Sequence, residues 1–317
     1  MRNILKSNKP KVCVVIPAFE VATQIRYVLS SIGNEVDHII VVDDNCPGKS
    51  GEIAQKVKDR RIEVIFHDKN YGVGAAVKTG YVRALELGAD IIVKVDGDGQ
   101  MDPTRIPELI EPIQNNEADY TKGNRFFEVE AVKRMPKIRI FGNLFLSFMT
   151  KLSTGYWHIF DPNNGFTAIS SKALKKLSLN KIDDRYFFES DMLFRLYLSG
   201  VVTKDVSIPA IYGDETSNLK IRRVLFEFPA KHTRNLIKRI FYSYYLKQFN
   251  LASIELPLGI GLGIAGLIRG TTALSLSNQT GQPTPAGTVV LTAILLLSSI
   301  QFILAFLNFD MTNEPKK

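Results

Sequence analysis

The sequence is poor in cysteine and tryptophan, with two cysteines and one tryptophan in 317 residues. Cys13 and Cys46 lie in apolar or turn contexts without a paired spacing, which argues against a disulfide framework or a zinc site. We expect both to be reduced, structural thiols of a cytosolic domain. No signal peptide is expected, because the first residues lead directly into a predicted strand. Hydrophobic residues form 45% of the chain. This is enough for a sizeable hydrophobic core and at least one further structural element.

Acidic residues are almost absent from residues 216–254, where Glu227 stands against eight lysines and arginines. The formal net charge is +8, and a local positive excess suggests an anionic partner, either a membrane or nucleic acid. Basic residues alternate here with aromatic residues, as in helices that lie on a membrane and in proteins that bind single-stranded nucleic acid. The membrane is favoured, and nucleic acid is not expected as a partner, because of the sequence that follows.

Charge is also scarce in residues 256–276 and 286–309, two apolar segments interrupted only by Arg269. Each is long enough to cross a bilayer, which requires ~20 apolar residues. Their connection, residues 277–285, is uncharged, whereas residues 216–254 before them and Lys316 with Lys317 after them are basic. By the positive-inside rule we expect two transmembrane helices, with both ends in the cytoplasm and the hairpin tip outside.

The first apolar segment carries two pairs of glycines at four-residue spacing. They are Gly259 with Gly263, and Gly266 with Gly270. Small residues at this spacing allow membrane helices to approach closely. The spacing therefore predicts either packing within the hairpin or a homo-oligomer formed through these helices.

Short apolar runs alternate with helical patterns in the first hundred residues. The predicted strands are residues 12–16, 38–42, 62–66 and 91–95, and the predicted helices are residues 25–32, 50–57 and 75–87. Ser50 is expected to cap the second helix. Strands that are apolar on both faces and separated by helices indicate an α/β fold, with a Rossmann-like, mostly parallel sheet covered by helices on both faces.

Polar residues follow three of these strands, at the edge where ligands of parallel sheets collect. They are residues 17–20, Asp43 with Asp44, and Asp96 with Asp98. The last pair offers hard oxygen ligands, which suit Mg²⁺ or Mn²⁺ shared with substrate phosphates. Gly97 and Gly99 leave room for a ligand to approach closely. A solvated Asp-Gly turn is the structural alternative.

Seven segments occur in an order and spacing that are specific together, although each is weak alone. They are VVIPAFE, VVDD, NYGVGAAVKTG, DGDGQ, KGNRF, DPNNGFTAIS and FFESDMLFRL. In this arrangement the sequence resembles family-two glycosyltransferases of the GT-A fold, specifically the polyprenyl-phosphate branch similar to dolichol-phosphate mannose synthase. The resemblance covers residues 12 to about 220. It implies a nucleotide-sugar donor, a divalent metal and transfer of a sugar, with inversion, to a lipid phosphate.

The resemblance assigns residues to the donor site. It implies that Asp96, Asp98 and Gln100 bind Mg²⁺ or Mn²⁺, which would neutralise the departing diphosphate as a Lewis acid. Contacts with the nucleotide sugar are implied for Pro17, Ala18, Phe19, Glu20, Asp43, Asp44, Gly72, Gly74, Lys78, Asp96 and Gly97. The family often has Asn in place of Glu20, which leaves the base and the sugar of the donor open. Gly72 and Gly74 lack the third glycine of a dinucleotide-binding fingerprint.

A second group of residues is implied for the acceptor. Contacts with its phosphate are implied for Arg125, Arg134, Arg139, Ser217 and Lys220. Ser217 is followed by Asn218 where relatives carry a lysine, which leaves open whether this phosphate contact has shifted or been lost. A basic edge beside the apolar residues 141–149 suits a lipid phosphate, and an ordinary amphipathic core helix fits that segment equally well.

Catalytic roles fall, by the resemblance, on Asp98, Asp161, Glu189 and Asp191. Asp161 is expected to position the acceptor and not to act as a base, because a phosphate monoester with a second pKa of about 6 is already mostly dianionic at neutral pH. Glu189 or Asp191 is a candidate base. A structural ion pair is the alternative for Asp191.

The predicted organisation has three parts: residues 1–220 form a cytoplasmic GT-A domain, residues 221–254 form basic amphipathic helices at the membrane, and residues 255–317 form two transmembrane helices with a short tail. The predicted activity transfers one sugar from a UDP- or GDP-linked donor to undecaprenyl or dolichyl phosphate at the cytoplasmic face of a bacterial inner membrane, for cell-envelope glycans. A processive polysaccharide synthase is disfavoured, because Trp157 lacks a Gln-x-x-Arg-Trp context. A catalytically silent partner that binds a nucleotide sugar is the other alternative.

Overall fold

A computed structural model of the protein describes residues 9–125, 137–162, 164–208 and 221–317. The side chains of residues 137–143 and 221–226 are outside this description. Two compact units divide the chain. The first extends to Leu236 and includes Pro315–Lys317, and the second comprises Ile237–Glu314.

The first unit is built on a seven-stranded mixed sheet. Its strands are β1 (Val12–Ala18), β2 (His38–Asp43), β3 (Ile62–Phe66), β4 (Ile91–Lys94), β5 (Tyr120–Asn124), β6 (Thr167–Ser170) and β7 (Thr203–Ser207). They lie in the order β3-β2-β1-β4-β6-β5-β7. β6 runs antiparallel to β4 and β5, and the other neighbouring strands are parallel. The predicted α/β fold with a mostly parallel sheet is confirmed.

Helices cover both faces of this sheet. They are α1 (Ile25–Ser30), α2 (Ser50–Gln55), α3 (Val73–Glu86), α4 (Ile106–Gln114), α5 (Lys137–Thr154), α6 (Ser171–Leu174), α7 (Phe188–Leu198) and α8 (Ile221–Phe241), with 3₁₀ turns at Pro103–Arg105 and Leu179–Lys181. One buried apolar cluster joins α3 and α7 to one face, and a second joins α1 and α4 to the other. α3 lies so close to the sheet that a Cβ at Gly80 would overlap the side chain of Val15.

The prediction that Ser50 caps α2 is wrong. Lys49 precedes the helix in a left-handed conformation with φ 57° and its side chain makes no capping hydrogen bond, whereas the carboxylate of Asp43 accepts the N–H of Gly51 in the first turn at 2.6 Å. The Ser50 hydroxyl instead accepts the backbone N–H of Val21 at 3.2 Å and lies 3.1 Å from Sγ of Cys46. The hydroxyl therefore ties α2 to the loop after β1.

A row of polar side chains crosses the sheet at the end of β4. The strand register places Lys94 opposite Thr167, Thr167 opposite Lys122, and Lys122 opposite Asp205. Directly opposed residues share one face of a sheet, so this row lies on the face that α3 and α7 cover. Both lysines are buried, which is rare for lysine unless it is paired. The sheet thus places the amino groups of Lys94 and Lys122 close to the edge where β4 leads into the turn with Asp96 and Asp98.

The middle of α8 packs on the first unit through polar side chains. Lys231 pairs with Asp183 at 2.6 Å, and Asn235 donates a hydrogen bond to Oδ1 of Asp191 at 3.0 Å. Asn235 is buried. This part of the segment predicted to lie at a membrane therefore also makes specific contacts within the protein.

The second unit contains two long apolar helices after a π-helical turn at Tyr242–Lys247. They are α9 (Ala252–Thr280) and α10 (Ala286–Thr312). Both are long and apolar enough to span a membrane. Little of either helix is buried within the protein, as expected for helices that face lipid.

A buried ion pair joins α8 to the end of α10. Nη1 and Nη2 of Arg239 donate to the two carboxylate oxygens of Asp310 at 2.5 and 2.9 Å. The hydroxyl of Tyr244 donates to the same carboxylate at 2.5 Å, and all three side chains are buried. Bidentate geometry and a third hydrogen bond compensate for removing these charges from water.

The four glycines with small-residue spacing face α10 within the hairpin. A Cβ at Gly259, Gly263, Gly266 or Gly270 would lie 2.9, 2.7, 2.8 or 3.2 Å from Ile303, Ser299, Leu296 or Thr292, respectively. The hydroxyl of Ser299 donates to the carbonyl of Gly259 at 2.7 Å, which close approach makes possible. These four glycines, which we call the glycine seam, therefore allow close packing within the hairpin. Homo-oligomer formation stays a prediction.

Exposed aromatic and apolar side chains crowd the turn between α8 and α9. They are Phe241, Tyr242, Leu246, Phe249 and Leu251. Lys238 and Lys247 are exposed among them. Aromatic rings with basic residues beside apolar helices are typical of a membrane–water boundary. This composition favours an interfacial position for the turn.

The glycine seam makes a prediction about hairpin stability. Gly266→Leu should destabilise the packed hairpin, by about 1–3 kcal/mol as for other overpacked sites, because its side chain meets Leu296. Gly261→Leu is the matched control, since a Cβ at Gly261 meets nothing within 4 Å. Unfolding of the full-length protein in detergent measures the difference. Equal stability of the two variants would contradict the seam.

Burial of His232 makes a prediction about acid stability. Burial lowers the pKa of His232 to about 4, and Nδ1 lies 2.7 Å from Oγ of Ser153. The unfolded chain therefore binds an extra proton between about pH 6.5 and 4, so stability falls as the pH is lowered through that window. We expect a loss of about 2 kcal/mol between pH 7 and 5 that His232→Gln largely removes. Thermal unfolding at both pH values measures it, and an unchanged loss in the variant would contradict the assignment.

Candidate active site

The candidate site begins where β4 ends. Asp96 and Asp98 follow that strand on a turn in which Gly97 is buried and Gly99 has a φ of 77°. A Cβ at Gly97 would lie 3.0 Å from Val21, so packing as well as ligand access favours glycine there. Both carboxylates are partly exposed, and they lie at the predicted edge of the sheet.

Asp96 is held by a buried lysine from its own strand. Nζ of Lys94 donates to Oδ1 of Asp96 at 2.7 Å, to Oε1 of Glu189 at 3.2 Å and to the carbonyl of Gly165 at 3.3 Å. Burial lowers the pKa of Lys94, but the charges of Asp96 and Glu189 outweigh burial and hold the pKa above its usual value. The side chain is therefore a cation between two carboxylates at neutral pH.

Oxygen ligands are available for a metal, but they do not form a complete protein cage. Within the described ranges, no three His, Cys, Asp or Glu side chains form a group that could hold a metal ion. Oδ1 of Asp98 accepts the N–H of Gln100 at 3.0 Å, and Asp96 contacts Lys94. Mg²⁺ is usually bound by one or two carboxylates together with substrate phosphates. Asp98, with Asp96 and Gln100 beside it, fits that shared arrangement.

The segment predicted to hold the nucleotide, Pro17–Glu20, closes β1 and opens the next loop. Ala18 pairs with Asp43 of β2, and the side chains of Phe19 and Glu20 are exposed. Glu20 has a φ of 58°, a conformation that Asn adopts more readily than Glu. Its N–H donates to Sγ of Cys46 at 3.1 Å. The thiol of Cys46 therefore helps to hold Glu20, which stands where the family often has Asn, in this conformation.

Asp43 and Asp44, the two acidic residues after β2, order the backbone around them. Both carboxylates are buried, and that of Asp44 also contacts Nδ1 of His67 at 2.7 Å. Their backbone N–H donors are Cys46 (2.7 Å) and Gly51 (2.6 Å) for Asp43, and Tyr71 (3.0 Å) and Gly72 (2.7 Å) for Asp44. The two carboxylates therefore order the loop after β2 and the turn before α3. Recognition of a nucleotide base by Asp44 stays a prediction.

The glycine-rich turn at the start of α3 is covered by the loop before α7. The carbonyls of Asp184 and Asp183 lie where a Cβ at Gly72 and Gly74, respectively, would project. Lys78 pairs with Asp184. Close packing against this loop accounts for both glycines and the lysine, and their contact with the nucleotide sugar stays a prediction.

Arg125 and Asp161, both predicted near the acceptor phosphate, form one ion pair. Nε of Arg125 donates to Oδ2 of Asp161 at 2.7 Å, and Nη2 donates to Oδ1 at 3.1 Å. Asp161 is buried, whereas the side chain of Arg125 is 34% exposed. A two-point contact fixes the plane of the guanidinium group. The arrangement favours a positioning role for Asp161.

Buried amino groups anchor the loop that carries Asp161. Lys122 donates to the carbonyl of Asn164, and Lys94 donates to the next carbonyl, that of Gly165. Burial lowers the pKa of Lys122 to about 8. A Cβ at Gly165 would overlap the side chain of Lys94, so glycine is required for this close approach. The loop is therefore tied to the ends of β4 and β5.

Glu189 and Asp191 begin α7 and differ in their surroundings. Glu189 contacts Lys94 at the site. Asp191 is buried and accepts hydrogen bonds from three groups: the N–H of Asp183 (3.1 Å), Nε of Arg195 (3.1 Å) and Nδ2 of Asn235 (3.0 Å). The structural alternative therefore accounts for Asp191, and a base role for Glu189 stays a prediction.

Some predicted acceptor residues have no described side chain. Arg134, Ser217 and Lys220 lie outside the described residues, and Arg139 belongs to α5 with its side chain outside the description. Sequence reasoning missed Lys94 as a site residue. A lysine within the apolar run Ile91–Val95 was the available signal.

The fold and the acidic edge together match a known family. Residues 13–178, just over half of the chain, match the family model for glycosyl transferase family 2. The chain belongs to this family and is a glycosyltransferase.

Curated relatives and solved structures agree with this assignment. A UDP-N-acetylglucosamine–dolichyl-phosphate N-acetylglucosaminyltransferase of Methanococcus voltae is 34% identical over 216 residues, which cover 63% of this chain and 86% of that protein. A dolichol-phosphate mannosyltransferase of Pyrococcus furiosus is 28% identical over 244 residues, covering 72% and 64%. Glucosyl-3-phosphoglycerate synthase from Mycobacterium tuberculosis, crystallised with Mn²⁺, UDP-glucose and phosphoglyceric acid, has a TM-score of 0.52 at 18% identity, covering 73% of this chain and 79% of that chain. The structural likeness shows the GT-A fold.

The contrast between Glu189 and Asp191 makes a prediction. Glu189→Gln should lower sugar transfer at least about tenfold while the melting temperature stays close to that of wild type, because Lys94 keeps its contact with Asp96. Asp191→Ala should lower the melting temperature, since three donors lose their acceptor and the buried Nδ2 of Asn235 alone is then left unsatisfied at a cost of about 1–3 kcal/mol. Thermal unfolding and a transfer assay on both proteins separate the two roles. The reverse pattern would contradict them.

Proposed function

We propose that this glycosyltransferase moves one sugar from a nucleoside-diphosphate donor to a polyprenyl phosphate, with inversion at the anomeric carbon. The observation that carries the proposal is an exposed apolar surface beside the Arg125–Asp161 pair, at the sheet edge that also bears Asp96 and Asp98. β4 and β5 are both antiparallel to β6, so they run in the same direction. Asp96 and Arg125 therefore follow the carboxyl ends of parallel strands.

The exposed apolar surface consists of Leu144, Phe145 and Phe148 on α5 together with Phe160, and we call it the acceptor patch. Each of these side chains is at least 50% exposed. Oγ of Ser147 donates to the carbonyl of Phe160 at 3.5 Å, which links the helix to the loop before Asp161. Apolar side chains exposed together mark interaction sites. A prenyl chain suits this patch while Arg125 holds the phosphate through a guanidinium fork.

The relatives support this choice of substrates. The Methanococcus voltae protein uses, by its name, a UDP-linked sugar and dolichyl phosphate, and the Mycobacterium tuberculosis synthase was crystallised with UDP-glucose. A UDP-linked donor is therefore the first candidate for this chain, and a GDP-linked donor is the second. Undecaprenyl and dolichyl phosphates share the chemistry that the acceptor patch requires.

In the proposed reaction, an oxygen of the acceptor phosphate attacks the anomeric carbon. The bond between that carbon and the diphosphate oxygen breaks, and the nucleoside diphosphate leaves. The acceptor phosphate, with a second pKa of about 6, is mostly dianionic at neutral pH, so no strong base is needed. Arg125 orients the phosphate, Asp161 fixes Arg125, and Lys94 fixes Asp96. Mg²⁺ or Mn²⁺ at Asp98 would neutralise the charge that develops on the leaving diphosphate.

The proposed location is the cytoplasmic face of a membrane crossed by α9 and α10. Nζ of Lys317 lies 3.2 Å from Oδ1 of Asp119, so the chain end after the hairpin belongs to the first unit. Two crossings place both ends on one side of the bilayer. The basic residues before and after the hairpin assign that side to the cytoplasm by the positive-inside rule.

Purified full-length protein tests the proposal directly. It is incubated with Mn²⁺, undecaprenyl or dolichyl phosphate, and radiolabelled UDP-glucose, UDP-N-acetylglucosamine or GDP-mannose in turn, and the lipids are then extracted. We expect one labelled glycolipid with one sugar per lipid. A lipid-independent polymer would favour a polysaccharide synthase. The absence of any turnover with this panel would favour a catalytically silent partner.

Asp98→Asn is expected to abolish this transfer, with a loss of at least about 100-fold, as for other removed electrostatic groups. Folding and membrane insertion should remain, because the side chain is partly exposed on a turn. Asp102→Asn is the matched control, since Asp102 caps a nearby turn through the N–H of Thr104 at 3.0 Å and Asn also caps. Undiminished transfer by Asp98→Asn would remove its assigned role.

A further inference from the structure

Lys94 places a buried cation among the carboxylates of the donor site. The residue is 1% exposed, and its ammonium group contacts Asp96 at 2.7 Å and Glu189 at 3.2 Å. Taking a charge out of water is costly unless the charge is paired. The two carboxylates therefore balance the charge of the lysine, and its ammonium group fixes their positions.

The same contacts change what the carboxylates can bind. Asp96 and Glu189 both contact Nζ of Lys94, and Asp98 follows Asp96 on the same turn; carboxylate oxygens are the usual ligands of Mg²⁺ and Mn²⁺. The ammonium group of Lys94 balances one negative charge, and it donates hydrogen bonds to one carboxylate oxygen of Asp96 and one of Glu189. Within the residues that the structure describes, no group of three acidic, histidine or cysteine ligands is found.

We propose that Lys94 is a resident counter-cation that keeps Asp96 and Glu189 from binding a divalent metal before the donor arrives. Asp98 would then be the carboxylate that holds a divalent metal together with the nucleotide diphosphate, whose oxygens would supply the remaining ligands. This sets an order of binding that the proposed function does not specify. It rests on that function only for the use of a diphosphate donor.

Lys122 provides a matched comparison within the same row of the sheet. It lies across Thr167 from Lys94, is equally buried, and donates to the carbonyl of Asn164 as Lys94 does to that of Gly165. The bonds described for its amino group include no carboxylate. Replacing either lysine removes a buried amine and a loop contact, but replacing Lys94 also leaves two carboxylates without their cation.

The test measures Mn²⁺ binding to full-length protein in detergent, from the electron paramagnetic resonance signal of unbound Mn²⁺, with and without UDP or GDP. Wild type is expected to bind at least about tenfold more tightly with nucleotide, because the diphosphate adds ligands. Without nucleotide, Lys94→Met is expected to bind Mn²⁺ at least about tenfold more tightly than wild type, since a like charge a few ångströms from the ligands is removed. Lys122→Met should change the affinity much less than Lys94→Met does, because the described hydrogen bond of Lys122 goes to a carbonyl and not to a carboxylate.

A double variant checks the origin of the effect. Lys94→Met combined with Glu189→Gln removes the cation together with one negative charge. Its affinity for Mn²⁺ without nucleotide should return toward the wild-type value. A merely structural role of Lys94 would not raise metal affinity in the single variant or lower it again in the double variant.

Two results would overturn the proposal: equal Mn²⁺ affinity of wild type and Lys94→Met without nucleotide, or tight binding of Mn²⁺ by wild type alone. If Lys94→Met does not fold, Lys94→Gln carries the same expectation, because it keeps a hydrogen-bond donor without the charge. Failure of the transfer assay with every donor would overturn the proposed function instead. The Mn²⁺ comparison decides the role of Lys94 in either case.

Discussion

The buried ammonium group of Lys94 is the contact on which the geometry of the site depends. Lys94 is the last residue of β4. Its Nζ contacts Glu189 at the start of α7 and donates a hydrogen bond to the carbonyl of Gly165, in the loop that carries Asp161. These contacts span 2.7 to 3.3 Å, so a shift of any of the three elements would disturb a hydrogen bond of the buried ammonium group. Asp96, Glu189 and the loop that carries Asp161 therefore share one cation.

The loop before α7 extends this connection through the first unit. Asp183 and Asp184 cover the glycine-rich turn of α3, and Asp191 holds the N–H of Asp183. Lys231 and Asn235 of α8 bind the same acidic residues from the other side. The helix that begins in the catalytic unit and ends in the apolar unit is thus packed against the element that carries Glu189. Lys231 and Asn235 lie in the segment predicted to be at a membrane surface, and they also make these contacts within the protein.

Much of the fold could be predicted, because runs of β-branched residues bounded by polar turns indicate buried parallel strands and place Asp96 and Asp98 at their carboxyl edge. The antiparallel direction of β6 could not, since it depends on pairing with strands distant in sequence. Lys94 meets Glu189 across 95 residues, and Arg125 meets Asp161 across 36, so local pattern does not reveal these pairs. Gly72 also packs against the protein's own loop, a contact that the glycine pattern in the sequence does not reveal.

The most direct measurement is a structure of the full-length protein with Mn²⁺ and UDP. The account predicts a metal ion between Asp98 and the diphosphate, with Nζ of Lys94 still within hydrogen-bond distance of Asp96 and Glu189. A metal ion bound by Asp96 and Glu189 with Lys94 displaced, or a diphosphate bound away from the turn after β4, would contradict it.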